Sequence, residues 1–195
     1  MNTFGKRRRK YESDFRNGPW PAAEGVARHG YQTHHRQGEG ISFNIIQFDI
    51  EGRKVLDLFG GTGQLGIEAL SRGAARCTFV DMNRQAAAII RENVAAVGFA
   101  DRAAVQQGDA MAFLSGCREK YDLIFLDPPY QTQLLENCIQ AVAKFDILSE
   151  HGIMVCESAQ EKQLPELGAS YEKGREYRYG KIKLTVYRRQ GSSEL

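Results

Sequence analysis

The sequence lacks any run approaching the roughly 20 apolar residues that a membrane-spanning helix requires. Its four cysteines are far apart and form no Cys-x-x-Cys pair, a spacing that suits neither a zinc site nor a disulfide framework. His34 and His35 are neighbours without further ligands nearby in sequence, so we expect no metal. The basic run at residues 6–10 has no apolar stretch behind it, which argues against a secretory signal. These absences argue against a membrane protein and against a disulfide-rich secreted protein. They predict a cytoplasmic protein.

Neither sign of charge dominates overall, but the two signs are unevenly distributed. The net charge is +2, whereas residues 1–40 carry +4 and residues 172–189 carry +5, which leaves −7 for the rest of the chain. Basic ends around an acidic centre are typical of a protein that contacts a polyanion at its periphery and binds a different ligand in the middle. On charge alone, solvated tails and surface faces explain the pattern equally well.

Residues 1–40 contain few periodic apolar positions and many Gly, Arg and His residues, so we predict an irregular basic arm. Residues 41–190 are predicted to form one domain, followed by a short tail at 191–195. Apolar spacing typical of a helix begins the domain at 41–48. The residues leave the oligomeric state open, and a monomer is favoured.

From residue 54 onward, apolar strands alternate with amphipathic helices. Predicted strands cover 54–59, 77–81, 103–107, 121–127 and 152–157. Predicted helices cover 64–73, 83–98, 109–116 and 131–145. Segments 172–180 and 181–189 also alternate but have no helix between them, which predicts an antiparallel hairpin. Strands that alternate with helices imply an α/β fold with a doubly wound parallel sheet.

A glycine-rich loop follows the first predicted strand. Gly61, Gly63 and Gly66 form a Gly-x-Gly-x-x-Gly pattern, and Asp81 follows 20 residues after Gly61, at the end of the next strand. This pattern is typical of adenosine-containing cofactors and, taken alone, indicates NAD. Asp57, four residues ahead of the loop, would repel a pyrophosphate but attract a ligand that carries an ammonium and a sulfonium. The loop therefore favours S-adenosylmethionine over NAD, and Asp81 suits a ribose diol with either cofactor.

A third carboxylate, Asp109, follows the third predicted strand. In that position it could accept a hydrogen bond from the exocyclic amine of adenine. Asp is also favoured as the N-cap of a helix, and a short helix is predicted to begin here. The two interpretations are compatible, because an N-cap at the end of a parallel strand already faces the ligand crevice.

The segment LIFLDPPY ends the fourth strand with a carboxylate, two prolines and an aromatic ring. Pro128 and Pro129 fix two φ angles and remove two N–H donors, which leaves carbonyl oxygens as acceptors. The exocyclic amine of a nucleobase is a poor nucleophile, because its lone pair is delocalised into the ring. The Asp127 carboxylate and the Pro128 carbonyl could each accept one N–H of that amine, and Tyr130 could stack on the base. An ordinary turn, with Asp127 capping a helix, is the alternative.

The whole set of motifs resembles the RsmD-type bacterial small-subunit ribosomal RNA guanine-N2 methyltransferases. The segments that carry the resemblance are DLFGGTGQLGIEALSRGA, FVDMNRQAAAIIREN, GDAMAFL, YDLIFLDPPY, GIMVCE and RYGKIKLTVY. The resemblance implies a seven-stranded class I methyltransferase sheet with the last strand antiparallel. It also implies methylation of a guanine N2 in 16S ribosomal RNA, within the small ribosomal subunit or its precursor.

The resemblance also implies roles for individual residues. The methionine side of the cofactor would be lined by Asp57, Phe59, Gly60, Gly61 and Gly63. Asp81 would bind the ribose hydroxyls, with Met82 packed against adenine, and Asp109 would bond the adenine amine beside Ala110. Residues 127–130 would hold the guanine.

The chain departs from the family at the front, where HGYQTHHRQGEGIS replaces the Thr-Arg-Pro-Thr segment and the Asp-Arg helix. RNA contacts are therefore expected from the predicted hairpin, whose basic residues are Arg175, Arg178, Lys181, Lys183, Arg188 and Arg189. Three alternative functions remain at this point. The chain could methylate adenine N6 in DNA or RNA, act as a non-catalytic RNA-binding assembly factor, or act as an NAD-dependent oxidoreductase.

Overall fold

The computed structural model describes residues 50–129 and 133–191. The strands in these ranges are β1 (Lys54–Asp57), β2 (Arg76–Asp81), β3 (Ala103–Gln107), β4 (Tyr121–Leu126), β5 (Leu148–Ala159), β6 (Tyr171–Tyr179) and β7 (Ile182–Arg189). The helices are α1 (Gln64–Ser71), α2 (Arg84–Ala96), α3 (Ala110–Gly116) and α4 (Leu134–Lys144). The predicted arm at 1–40, the predicted helix at 41–48 and residues 192–195 of the predicted tail lie outside the described residues.

The described strands form one sheet in the order β3-β2-β1-β4-β5-β7-β6. Strands β1 to β5 pair in parallel, whereas β7 pairs antiparallel with both β5 and β6. The order steps outward from β1 in both directions, which is the doubly wound arrangement that alternating strands and helices produce. The predicted fold, with its antiparallel last strand and its closing hairpin, is confirmed.

Helices cover both faces of the sheet and bury two apolar clusters. One face packs against α1 and α2, with Phe79 and Ile90 in its cluster. The other face packs against α3 and α4, with Ile124 and Ile139 in its cluster. Side chains of successive strand residues point to opposite faces, so Val186 and Tyr187 of β7 join different clusters. Within the described ranges, no helix is long and apolar enough to cross a membrane.

Strand β5 differs most from its predicted bounds. It begins at Leu148 rather than at Gly152, because its first residue pairs with Tyr121 of β4 before the register shifts. His151 has a φ of 58°, and the pairing of β5 with β4 resumes at Ile153. The residues around this irregularity are polar, so a prediction based on apolar runs did not include the first part of the strand.

Candidate active site

The carboxyl ends of β1, β2, β3 and β4 lie along one edge of the sheet, because these strands run parallel. This carboxyl edge receives Asp57 and Asp81 at the ends of β1 and β2. Asp109 follows β3 by two residues, and Asp127 follows β4 directly. The fold therefore assembles on one edge four carboxylates that are spread over 70 residues of sequence.

The glycine loop between β1 and α1 passes so close to α2 that a side chain at Gly60 or Gly63 would push against Ile90. A Cβ atom at Gly60 would lie 2.8 Å from Ile90 Cδ1, and one at Gly63 would lie 3.2 Å from Ile90 Cγ2. Gly63 also has a φ of 82°, in the left-handed region that favours glycine. Asn93 Nδ2 donates a hydrogen bond to the carbonyl oxygen of Thr62 at 2.9 Å and so fixes the loop. Asn93 was not predicted, since no motif spacing connects it to a loop 31 residues away.

Asp57 is 2% exposed, and its Oδ2 accepts a hydrogen bond from Gly66 N at 3.0 Å. Gly66 is the third residue of α1, whose N-cap, Gly63, makes no side-chain capping bond. Asp57 thus caps the positive end of α1 from a neighbouring strand, a role that the sequence analysis missed. Burial, together with the nearby Asp81 carboxylate, raises the pKa of Asp57 from 3.8 to about 7 despite the Gly66 bond. A cationic ligand nearby would favour the ionised form, which fits the predicted ammonium and sulfonium.

The Asp81 carboxylate is fixed by two backbone amides. Its Oδ2 accepts from Gly61 N at 2.9 Å, and its Oδ1 accepts from Asn83 N at 2.7 Å. An ionised carboxylate has about four acceptor sites, so capacity for ribose hydroxyls remains. Asn83 in turn caps α2 by accepting from Gln85 N at 2.8 Å. Met82 is 72% exposed at this edge. An exposed side chain is accessible to the adenine ring of the cofactor, as its predicted role requires.

Asp109 is the N-cap of α3, because its Oδ1 accepts a hydrogen bond from Ala112 N at 2.8 Å. The capping interpretation is confirmed, and the bond to adenine stays a prediction. A cavity of about 320 Å³ adjoins this residue and extends along α3, lined by Gln106, Gly108, Asp109, Ala112, Phe113, Gly116 and Cys117. Among the predicted cofactor residues, all of which are described, Asp109 alone lines it. The buried Ala110 and half-buried Phe59 pack inside the protein instead.

We call the predicted base-binding residues 127–130 the acceptor corner, and its first residue, Asp127, lies beside the glycine loop. Asp57 pairs with Phe125 where β1 meets β4. Phe59 and Asp127 each follow these paired positions by two residues. The two motifs therefore leave the sheet side by side, which is the arrangement needed to bring a methyl donor and an acceptor amine together.

Asp127 is half-buried, whereas Pro128 is buried and Pro129 is exposed. The corner thus has one proline that packs inward and one at the surface, and the half-buried Asp127 precedes both. Tyr130 lies outside the described residues, so its stacking role stays a prediction. Among the described residues, no group of three or more His, Cys, Asp or Glu side chains is arranged to hold a metal ion.

The two ends of the basic hairpin lie at opposite edges of the sheet. Lys183 pairs with Ser158 near the end of β5, whereas Arg188 pairs with Ile153. Five strand residues span roughly 17 Å. The turn that contains Lys181 is therefore at the carboxyl edge, and Arg188 lies toward the opposite one.

The prediction that Lys183 contacts RNA is wrong, because its side chain is fully buried. Its Nζ donates to the carbonyl oxygen of Lys162 at 2.7 Å and pairs with Glu176 Oε1 at 3.0 Å. Alternation along the strand placed Lys183 with the solvent-facing cations, but the segment between β5 and β6 and the Glu176 side chain of β6 lie against its ammonium group. Arg189 is also engaged, in an ion pair with Asp146. The hairpin cations that are exposed are Arg175, Arg178, Lys181 and Arg188.

Known proteins resemble this chain over most of its length. Ribosomal RNA small subunit methyltransferase D of Escherichia coli (strain K12) is 33% identical over 152 residues, which are 78% of this chain and 76% of that protein. A conserved hypothetical protein of Streptococcus pyogenes is 36% identical, with a TM-score of 0.73 over 80% of this chain and 98% of that one. TrmN from Thermus thermophilus shares the fold, with 18% identity and a TM-score of 0.62 over 77% of this chain and 48% of that one.

The fold and the relatives place the chain among the class I methyltransferases, whose methyl donor is S-adenosylmethionine. The family described as Conserved hypothetical protein 95 matches residues 37–188, and this chain belongs to that family. The predicted cofactor and the resemblance to the RsmD-type enzymes are confirmed. NAD, the alternative cofactor of the glycine loop, is thereby set aside.

Proposed function

We propose that this enzyme methylates the exocyclic N2 amine of a guanine in small-subunit (16S) ribosomal RNA, presented by the small subunit or its precursor. The observation that carries the proposal is the position of the Asp127 corner, beside the glycine loop on the carboxyl edge. The name of the Escherichia coli relative supports small-subunit ribosomal RNA as the substrate class. We assign catalysis to residues 41–190, acting as a monomer in the cytoplasm without a metal, and RNA contact in part to the exposed hairpin cations.

Bound S-adenosylmethionine supplies a methyl group on a sulfonium centre, which is electrophilic without further activation. The chain's own residues orient it. Asp81, already held by Gly61 and Asn83, would accept the ribose hydroxyls without reorganising. The Asp57 carboxylate would face the positive charges, and Asp109 would accept the adenine amine. The remaining contacts would come from the Met82 side chain and from the backbone of Phe59, Gly60, Gly63 and Ala110.

The acceptor corner must activate a weak nucleophile. If Asp127 and the Pro128 carbonyl each accept one N–H of the target amine, its lone pair turns toward the methyl group. The Asp127 carboxylate also stabilises the positive charge that develops on nitrogen as the bond forms. No separate base is needed, because the alkylated amine is acidic enough to lose its proton afterwards. Tyr130 would hold the base plane by stacking.

Substitution of Asp127 tests the acceptor role directly. Asp127→Ala removes an acceptor and its charge, and a charge-assisted hydrogen bond is worth about 1.5–3 kcal/mol, so methyl transfer should slow by roughly 10- to 150-fold. Asp127→Asn keeps an oxygen in nearly the same place and should fall between Asp127→Ala and wild type. The measurement is transfer of tritium from labelled S-adenosylmethionine to undermodified small subunits, at saturating cofactor.

Asp101→Ala is the matched control, because Asp101 is an exposed carboxylate before β3, at the opposite edge of the sheet. It should transfer methyl groups at the wild-type rate. A folded Asp127→Ala protein with wild-type activity would show that the corner is structural and that the chemistry occurs elsewhere.

Identification of the methylated nucleoside after digestion separates the candidate functions. N2-methylguanosine supports the proposal, whereas N6-methyladenosine would favour an adenine methyltransferase with the same corner. Absence of transfer to subunits, precursors and free RNA, with cofactor still bound, would favour a non-catalytic assembly factor.

A further inference from the structure

Residues 160–170 join β5 to β6 without regular secondary structure, and we call them the strap. Side chains of the hairpin hold the strap by its backbone. Three carbonyl oxygens of the strap accept hydrogen bonds: Lys162 O from Lys183 at 2.7 Å, Leu164 O from Lys173 at 3.0 Å and Pro165 O from Tyr187 at 2.7 Å. The strap is also joined to the hairpin turn, since Gln160 N donates to Lys181 O at 3.1 Å. Because so many of its backbone groups are hydrogen-bonded, the strap is a well-fixed loop rather than a flexible linker.

One side chain of the strap points away from the hairpin and toward α4. Lys162 Nζ lies 2.9 Å from Glu136 Oε2, and the two side chains are only 19% and 24% exposed. Glu136 is the third residue of α4, the helix that follows the acceptor corner along the chain. Its carboxylate also lies in the first helical turn, where the helix dipole favours negative charge. The ion pair therefore connects the start of α4 to a backbone that the hairpin already fixes.

An exposed ion pair stabilises a protein little, because solvent screens the charges and long side chains lose entropy. Two features set this pair apart. Most of its surface is covered, and the main chain of Lys162 is held by the buried Lys183, so less freedom is lost when the pair forms. Such a pair can define where the first turn of α4 lies.

We propose that Lys162 and Glu136 are positioning residues for methyl transfer. Their ion pair fixes the first turn of α4, the helix that follows the Asp127 corner along the chain. The inference rests on the proposed function, since it assigns the acceptor base to the Asp127 corner. Small displacements of an acceptor amine are costly, because the rate depends on alignment with the methyl group.

Lys162→Met removes the charge while keeping most of the length, and leaves the Lys162 carbonyl for Lys183. Glu136→Gln removes the partner charge. We expect both variants to lower kcat by roughly tenfold or more, with a smaller change in KM for RNA and an unchanged Kd for S-adenosylmethionine. Rates are measured far below the unfolding temperature of each variant, so that reduced stability does not lower the active fraction.

Glu166→Gln is the matched control. It removes the carboxylate that lies 3.2 Å from Lys173 Nζ on the same strap, but that pair does not involve α4. Its kcat should equal that of wild type. The double variant Glu136→Lys/Lys162→Glu restores opposite charges in exchanged positions and should recover at least part of the rate.

Hydrogen exchange of the backbone amides at residues 134–140 provides a readout that needs no RNA. We expect exchange there to become roughly fivefold faster in Lys162→Met than in wild type or Glu166→Gln. That factor corresponds to the upper end of the stabilisation usually found for exposed ion pairs. Wild-type kcat in both single variants, or unchanged exchange, would overturn the positioning role. Absence of transfer by the wild-type enzyme would instead count against the proposed function, and the exchange result would still show whether the pair fixes α4.

Discussion

At the scale of single residues, the Asp57 carboxylate is buried beside a second carboxylate and bonded to one backbone amide. Burial is the larger influence, so its pKa rises from 3.8 to about 7. Between these values the folded protein keeps a proton that the unfolded chain has released. The free energy of unfolding therefore falls as the pH rises from about 4 to about 7, by at most about 1.4 kcal/mol per pH unit from this group. Below and above that window the contribution of Asp57 does not change.

Asp57→Asn should flatten this dependence, because the amide still accepts from Gly66 N but does not titrate. The measurement is urea unfolding of wild type and variant at several pH values between about 4 and 7. Asp146→Asn is the control. A hydrogen bond from Lys120 lowers the pKa of Asp146, so its stabilising contribution is lost only as the pH falls below the ordinary aspartate range. Parallel curves for wild type and Asp57→Asn would contradict the assignment.

Gly66 shows a second residue-scale constraint, since α1 passes close to β2 at this residue. A Cβ atom there would lie 2.2 Å from Phe79 Cε1 and 2.6 Å from Cys77 Sγ, both in the buried cluster. Gly66→Ala should therefore destabilise the fold by about 1–3 kcal/mol or more through overpacking. Thermal or urea unfolding measures the loss, and Gly66→Ala/Phe79→Leu should recover part of it.

Gly116→Ala controls for a general effect of alanine in a helix, because a Cβ atom at Gly116 meets nothing within 4 Å. This variant should be at least as stable as wild type, because alanine is the better helix former. Equal stability of Gly66→Ala would mean that α1 can move off the sheet at little cost.

At the scale of elements, only one end of the hairpin presents its exposed cations at the carboxyl edge, where the site lies. Arg178 and Lys181 lie at the carboxyl edge and are exposed. The double variant Arg178→Ala/Lys181→Ala should weaken RNA association and lower the salt slope by roughly 0.7–0.9 for each phosphate that these cations no longer neutralise. Binding of small-subunit RNA, measured over a range of salt concentrations, tests this expectation, and the Kd for cofactor should not change.

Arg188→Ala removes a cation of the same hairpin near the opposite edge and should leave the salt slope unaltered. If Arg188→Ala and the double variant have equal effects, RNA binds the hairpin along its whole length. If neither has an effect, the hairpin cations are solvated and RNA binds elsewhere.

Helices and strands with a strong hydrophobic period could be predicted from the sequence, whereas contacts between side chains of different elements could not. The β6–β7 hairpin and the four helices follow from alternation, from 3.6-residue spacing and from glycines at their ends. The carboxylates of the site followed from the parallel strands that carry them. The burial of Lys183 did not, because it depends on how the strap folds back over β7. The same is true of Lys162 and Glu136, which are 26 residues apart and meet only once α4 and the strap are in place.

At the scale of the whole molecule, cofactor binding and folding should be linked. A ligand that binds only the folded state stabilises it by RT ln(1 + [L]/Kd), about 2.7 kcal/mol at a hundredfold excess over Kd. S-adenosylhomocysteine, the demethylated product, should therefore raise the unfolding temperature, and NAD should not. Asp81→Ala should reduce the shift by weakening binding by about 1.5–3 kcal/mol. Differential scanning fluorimetry at fixed ligand concentrations gives the result, and a shift by NAD alone would contradict the cofactor assignment.

The place of β7 in the sheet constrains how the chain can be synthesised. Strand β7 lies between β5 and β6, although it follows both in sequence, and in the described part of the chain β6 pairs with β7 alone. During translation β6 therefore emerges with no strand to pair with, and β5 presents an open edge until Arg189 has been added. Strand β7 therefore joins the sheet between two strands that precede it, and only then do the carbonyl oxygens of Lys162 and Pro165 meet their donors on β7. The support for the acceptor side thus forms only when β7 is in place, after the parallel strands that carry the site.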